Sequence, residues 1–286
     1  MKKIPLLLIS LFLLTLSAET ALAAKLPKPS AVPGGIAVVP LGIESGTAPL
    51  VKYLDQRVMV APDPKQPNHW LAIAGISLEA KKGKHELIVE SNPQQHKVAF
   101  QVKDKKYKTQ HLTVKNKRHV NPNKEDMERI ANEKVAIDAS LSHWSESDQI
   151  NTEFLLPVKG RLSSPFGLRR FFNNEPRKPH SGIDIAAPEG TPIVSPADAV
   201  VLSTGNYFFN GNTVFLDHGQ GLVTMYCHMS KIAVQPGQQI KQGEQIGAVG
   251  KSGRVTGPHL HWGISLNDTR VDPGLFFEDL QKLTRK

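Results

Sequence analysis

Cysteine is nearly absent: of 286 residues, only Cys227 carries a thiol. No disulfide can form within the chain, so stability must come from a packed core, a bound metal, or both. No H-E-x-x-H sequence occurs, which excludes the helix-borne zinc site of the common secreted metalloproteases. Internal repeats and low-complexity tracts are also missing. Long apolar runs are lacking too, and the one at residues 4–16 is too short to span a bilayer comfortably. Lys2 and Lys3 precede that run, and Ala21-Leu22-Ala23 follows it as a small-x-small cleavage site. Residues 1–23 therefore read as a secretory signal peptide, with an uncleaved membrane anchor as the alternative. No cysteine follows the run to take a lipid. The chain is expected to be exported, periplasmic or secreted, and associated with the cell wall.

Acidic residues are scarce in the first half of the mature chain. Between residues 25 and 123, 16 Lys and Arg face 7 Asp and Glu, whereas from residue 124 onward 17 face 18. Outside the cytoplasm such a surface meets anionic wall polymers or lipid surfaces and not nucleic acid. The plainer alternative is a solvated basic face that only aids solubility.

The patterning divides the chain into four stretches. After the signal, residues 24–122 form a basic β-module. Within it "VMVAP", "WLAIAGISL", "HELIVE" and "KVAFQV" are short, rich in β-branched and aromatic residues, and separated by turns, which predicts a sandwich-like arrangement. Residues 123–150 form a helical linker: Asn123 caps it, Glu125 and Asp126 sit in its first turn, and Met127, Ile130, Ile137, Leu141 and Trp144 give one apolar stripe. The stripe predicts a helix that packs the two halves together and carries no chemistry. Residues 151–286 return to short strands punctuated by Gly and Pro, which predicts a mainly β fold with an antiparallel sheet or groove.

The chemistry concentrates in this last stretch. In "GPHLHWG", residues 257–263, alternation along a strand places His259 and His261 on one face and Leu260 and Trp262 on the other. In "PHSGID", His180 and Asp184 are too far apart for one metal ion in a straight strand, but Gly182 between them can bend the chain. His180, Asp184 and one of the two later histidines would make the three protein ligands of a catalytic zinc site with one open position. In "LVTMYCHMS", Tyr226 and His228 are expected to share a face, with Cys227 pointing the other way as a buried, non-ligating residue. His69, His85, His96, His111, His119, His143 and His218 read as packed or solvated residues. Each spacing alone is weak. Together, among glycine and proline turns in a β-rich region, they are much stronger.

The stretches "GRLSSPFGLR", "PHSGIDIAAPEGTPI", "GNTVFLDHGQGLVTMYCHMS", "PGQQIKQGEQIGAVGKSG" and "GPHLHWGI", in that order over roughly residues 158–276, resemble the lysostaphin/LytM-type zinc endopeptidases that cut peptidoglycan. The resemblance implies a β-sheet groove with one zinc ion (Zn2+) at its floor, bound by His180, Asp184 and His261. It implies catalytic roles for His259 and His228, and peptide stems or cross-bridges of peptidoglycan as substrate. "FFNNEPRK" has no defined place in the pattern, and the basic module lies outside it. Three rivals stand beside this reading: a catalytically silent wall-binding protein or amidase activator on the same fold, a phosphocarrier or lipoyl-type carrier, and a general secreted metalloprotease. The filled His/Asp set opposes the first, export opposes the second, and the missing H-E-x-x-H opposes the third.

Overall fold

The computed structural model describes residues 26–277 other than 92–93, 115–116 and 148–149, so the expected signal segment lies outside the described residues. Among those residues, no helix is long and apolar enough to cross a membrane. The first half holds β1 (Ile36–Glu44), β2 (Leu50–Tyr53), β3 (Gln56–Arg57), β4 (Met59–Pro62), β5 (His69–Gly75), β6 (Gly83–Ser91), β7 (Gln94–Val102) and β8 (Thr109–Leu112). Two sheets, ordered β1-β5-β4 and β3-β2-β6-β7, close on one apolar cluster that includes Val39, Tyr53, Ile76, Leu87 and Val102. Each contributes alternate residues inward, the pattern of a small sandwich.

The helix α1 (Lys124–Leu141) starts as its sequence dictates. The Asn123 side chain accepts from the Asp126 backbone N–H, and the Asp126 carboxylate accepts from the Asn123 N–H, a reciprocal cap. Its placement departs from the apolar stripe. Only Asp126, Ser140 and Leu141 are buried, and Met127 is 52% exposed. Ile137 and Leu141 pack on Tyr207, Phe215, Val223, Met225 and Cys227, so the apolar face of the helix docks on the second half. Trp144 lies past the helix end, where Arg57 stacks on its ring at 4.4 Å and pairs with Glu146. The halves are joined instead by direct packing. Ile36, Met59, Ala61 and Ile73 share the main core with Trp262, Leu266 and Val271. The Asn267 side chain accepts from Gly75 N–H at 2.6 Å, and β8 pairs in parallel with a strand of the second half.

That half holds β9 (Arg161–Ser164), β10 (Arg169–Phe172), β11 (Glu175–Pro176), β12 (Ile183–Ala186), β13 (Pro192–Val194), β14 (Ala199–Tyr207), β15 (Gly211–Asp217), β16 (Leu222–Met229), β17 (Lys231–Ile232), β18 (Gln239–Ile240), β19 (Gln245–Ala248), β20 (His259–Leu266) and β21 (Thr269–Val271). The main sheet runs β18-β14-β15-β16-β20-β12-β9, antiparallel throughout, with β21 beside β20. One face carries Leu260, Trp262, Ile264, Ile183 and Ile185 into the core. The opposite face lies beneath α1 and opens into a cavity.

A polar chain crosses this core. Tyr226 donates to Thr224 Oγ1 at 2.9 Å, Thr224 donates to His218 Nε2 at 2.8 Å, and His218 Nδ1 donates to the Asp198 carbonyl at 3.0 Å. Every hydrogen is used with His218 neutral, and burial pushes its pKa from 6.5 down to about 4. The unfolded chain therefore binds the extra proton first, and stability falls as pH drops from 6.5 towards 4. The gap corresponds to about 3 kcal/mol at 1.36 kcal/mol per unit. Thermal melting across that range should show the loss, and the His218 ring nitrogens should stay neutral in an NMR titration to near pH 4. A His218 that protonates near 6.5 in the folded chain contradicts this.

Candidate functional site

β12 and β20 run antiparallel with Asp184 opposite His261 and Ala186 opposite His259. That register, with the alternation of β20, sets both histidines and the carboxylate on the face away from the core. His180 sits just before β12 and folds back onto it, and Gly182 makes this possible by close approach. A Cβ there would collide with the Trp262 carbonyl and lie 2.9 Å from His261 Cε1.

Three ligand-type atoms converge. His180 Nε2 is 2.9 Å from Asp184 Oδ1, His261 Nδ1 is 2.8 Å from the same oxygen, and the two nitrogens are 3.0 Å apart. Among the described residues this is the set of His, Cys, Asp and Glu whose ligand atoms gather closely enough to hold a metal ion. A tetrahedral cation with bonds near 2.0–2.1 Å spans its ligands at about 3.3 Å, so small adjustments admit one. The ring tautomer fits as well. His180 Nδ1 lies 2.8 Å from the Pro165 carbonyl, which can only accept, so Nδ1 carries the hydrogen and Nε2 presents a lone pair.

The electrostatics keep the set ready for a cation. Burial alone would raise the Asp184 carboxyl, but the adjoining His180 and His261 rings outweigh it and hold the group well below the usual carboxylate range. Arg170, from β10, adds a 2.8 Å ion pair to Asp184 Oδ2, which leaves Oδ1 for the metal side. Burial holds the His261 imidazole down to about 4.

His228 joins the site by a route the strand pattern did not predict. Plain alternation would send it to the core face with Tyr226. Instead it takes φ +63°, next to a register shift between β15 and β16, and the left-handed backbone turns its ring over. Its ring centroid lies 4.8 Å from His259 and 6.1 Å from His261. Cys227 is buried on the face opposite Tyr226 and outside the candidate metal cluster, as expected of it. It stands opposite His261 on the groove face, sealed under α1 with Met225. Burial pushes its thiol up to about 12, so it stays a neutral thiol beside the site.

The cavity over these residues holds about 580 Å³. Several of its walls carry no functional signal in the sequence. Helix α1, expected to be only a spacer, supplies Ile130, Glu133 and Ile137 to one side. The unassigned "FFNNEPRK" is a hairpin: Asn173 and Asn174 take φ +49° and +69° between β10 and β11, as a two-residue turn with both central residues left-handed requires. The hairpin presents Arg170 and Phe172, two residues apart on one strand face, to the cavity. The signal for Arg170 was that alternation, hidden by a doubled arginine. His69, His85, His96, His111, His119, His143 and His218 stay outside the ligand cluster, in line with expectation.

Comparisons with known proteins match both halves of the chain. Residues 178–273 match Peptidase family M23, and residues 29–105 match the Peptidase family M23 N-terminal domain. Over 105 residues the chain is 47% identical to the peptidoglycan DD-endopeptidase ShyA of Vibrio cholerae, covering 36% of this chain and 24% of that protein. Over 116 residues it is 42% identical to the DD-carboxypeptidase/endopeptidase Mpg of Neisseria meningitidis, covering 41% and 27%. The chain thus spans about a quarter of the length of these curated relatives. A solved peptidase M23 structure from Pseudomonas aeruginosa is 42% identical, covers 86% of this chain and 95% of that one, and superposes with a TM-score of 0.73. Both halves therefore have counterparts, and the chain belongs to peptidase family M23.

Proposed function

We propose that the chain is a zinc-dependent endopeptidase that hydrolyses peptide cross-links of peptidoglycan outside the cytoplasm. The observation that carries this is the convergence of His180 Nε2, Asp184 Oδ1 and His261 Nδ1 within 3.0 Å of one another at the floor of an open cavity. Two imidazoles and one carboxylate are a catalytic zinc donor set. The names of the curated relatives support the substrate class, and the expected signal segment supports export. We retain the division into a basic module at 24–122, a linker at 123–150 and a peptidase unit at 151–286. Lys81, Lys82, Lys84, Lys103, Lys106 and Lys108 are exposed on that module and would favour an anionic wall polymer.

Zinc, when bound, supplies Lewis acidity for water and for the scissile carbonyl. The remaining work falls to two histidines. His228 Nδ1 donates to the Ser252 carbonyl at 2.9 Å, and His259 Nδ1 donates to the Gly257 carbonyl at 2.9 Å. Each bond fixes the tautomer and leaves Nε2 as an acceptor. Burial, with the neighbouring His259 and His261, holds His228 down to about 3, so it stays neutral at working pH and orients water by accepting its hydrogen. His259 Nε2 sits 3.9 Å from Asp184 Oδ1, beside the ligand cluster but outside it. There it can take the proton from water and return it to the leaving amine.

Two substitutions separate these roles. His259→Ala is expected to keep one zinc per chain and lose about 10²- to 10⁴-fold in turnover, the usual span of general acid–base catalysis. His261→Ala is expected to lose the metal itself. Mass spectrometry of fragments released from purified sacculi, with chelator and after zinc is restored, gives the activity. A His259→Ala protein at full rate defeats the assignment. A wild-type chain that binds sacculi but releases nothing supports the wall-binding alternative.

A further inference from the structure

The cavity has a second polar feature, set back from the histidines. Arg254 lies in the loop leading into β20, five residues before His259, and faces the same cavity. Its guanidinium is held between two aromatic rings, 4.2 Å from the Phe209 centroid and 4.8 Å from that of Phe172. The loop that carries it is fixed: Gly253 takes φ +73°, where a side chain would strike Phe209 and Gly211, and Arg254 N–H donates to the Phe209 carbonyl at 2.8 Å. Both ends of the stack are therefore built before any ligand arrives.

What Arg254 lacks is an anion. Arg170 has Asp184 at 2.8 Å, and Arg177 has Glu175 at 2.7 Å. Among the described residues no carboxylate pairs with Arg254, and its one side-chain hydrogen bond goes to the His119 carbonyl at 3.3 Å. Burial, together with the positive fields of Arg170 and Arg177, pulls its pKa down to about 10, still far above neutrality. A largely buried cation without a counter-ion is costly to keep, while an aromatic sandwich holds its planar fork ready for a two-oxygen acceptor. Arg170 and Arg177, though each is paired with a carboxylate, still add a positive field at Arg254.

We propose that Arg254 is the carboxylate-recognition residue of the groove, taking a free carboxylate of the peptide substrate so that the scissile bond is registered over the His180–Asp184–His261 cluster. The inference rests on the peptidase reading and adds to it a selectivity for acidic over amidated peptides. Two sources fit the chemistry: the carboxylate at the carboxy-terminal end of a stem, and a carboxylate within the stem.

The test uses three cross-linked muropeptide dimers: one with all carboxylates free, one amidated at the terminal carboxylate, and one amidated within the stem. The wild-type chain is expected to prefer the free dimer, and the amidation that removes the preference identifies the group. Arg254→Gln is expected to lower kcat/KM on the free dimer about tenfold to a hundredfold, mostly through KM, the scale of one charge-assisted hydrogen-bonded contact. It should leave the sensitive amidated dimer nearly unchanged, with zinc content and melting temperature preserved. Arg254→Lys, which keeps the charge but not the fork, should fall between. Equal loss on all three dimers, or a wild type indifferent to amidation, overturns the inference. If the wild type cleaves none of them, the peptidase reading fails, and calorimetric titration of the same dimers decides the recognition role: a preference for the free acid that vanishes in Arg254→Gln upholds it, and no preference refutes it.

Discussion

An Asp184→Asn chain is expected to purify folded, carry no zinc, and show no rise in melting temperature when zinc is added. Asn keeps the shape but not the charge. It takes away the one anion that faces His180 Nε2 and His261 Nδ1 at 2.9 and 2.8 Å, and the two neutral imidazoles that remain are a poor site. Turnover should fall on the order of 10³-fold or more, since the Lewis acid is asked to supply several kcal/mol of the barrier. Stability without metal should change far less. The substitution breaks the Arg170 ion pair but also removes a buried charge whose desolvation opposes that gain, and Arg170 keeps contacts to Ser164 and Gln110. Zinc at a hundredfold excess over its dissociation constant should add about 2.7 kcal/mol to the wild type and nothing to the variant. Metal analysis and thermal melting in parallel check this, and a variant that holds one equivalent of zinc refutes the ligand role.

Gly182→Ala is expected to damage the candidate site directly through one added methyl. The added carbon strikes the Trp262 carbonyl, which belongs to the backbone of β20 and cannot swing aside. Relief requires β12 and β20 to part at the pairing that sets Asp184 against His261. Overpacking of this kind costs about 1–3 kcal/mol, and a displacement near 1 Å at the reacting groups can cost about 10²-fold in rate. Zinc affinity should weaken along with kcat/KM. Gly257→Ala is the control, because a Cβ there has nothing within 4 Å. Melting, zinc titration and kinetics on both variants test the argument, and a Gly182→Ala protein indistinguishable from Gly257→Ala would sink it.

The parts of this site that follow a period were legible in the sequence. His259 and His261 are two apart on one strand, so alternation alone put them together, and the bend between His180 and Asp184 was announced by Gly182. The cap of α1 was equally plain, because Asn123 and Asp126 satisfy each other locally. What was hidden depends on breaks in period or on contacts distant in sequence. His228 reaches the groove through one residue of positive φ, which a histidine gives no hint of. Cys227 faces His261 because β16 and β20 are neighbours, which no local pattern encodes. Helix α1 buries only Asp126, Ser140 and Leu141, so its apolar stripe overstated its packing, and part of that stripe, Ile130 and Ile137, lines the cavity with Glu133 instead. The parallel pairing of β8 with β10 and the shared core across the halves are long-range facts of the same kind.

The claim beneath the whole account is that His180, Asp184 and His261 close on one zinc ion. X-ray absorption at the zinc edge of the purified, zinc-loaded chain tests it directly. The account predicts one zinc per chain, four-coordinate, with two imidazole nitrogens and carboxylate and solvent oxygens near 2.0–2.1 Å, and no sulfur. A zinc–sulfur distance near 2.3 Å, or a chain that retains no zinc under these conditions, would contradict it.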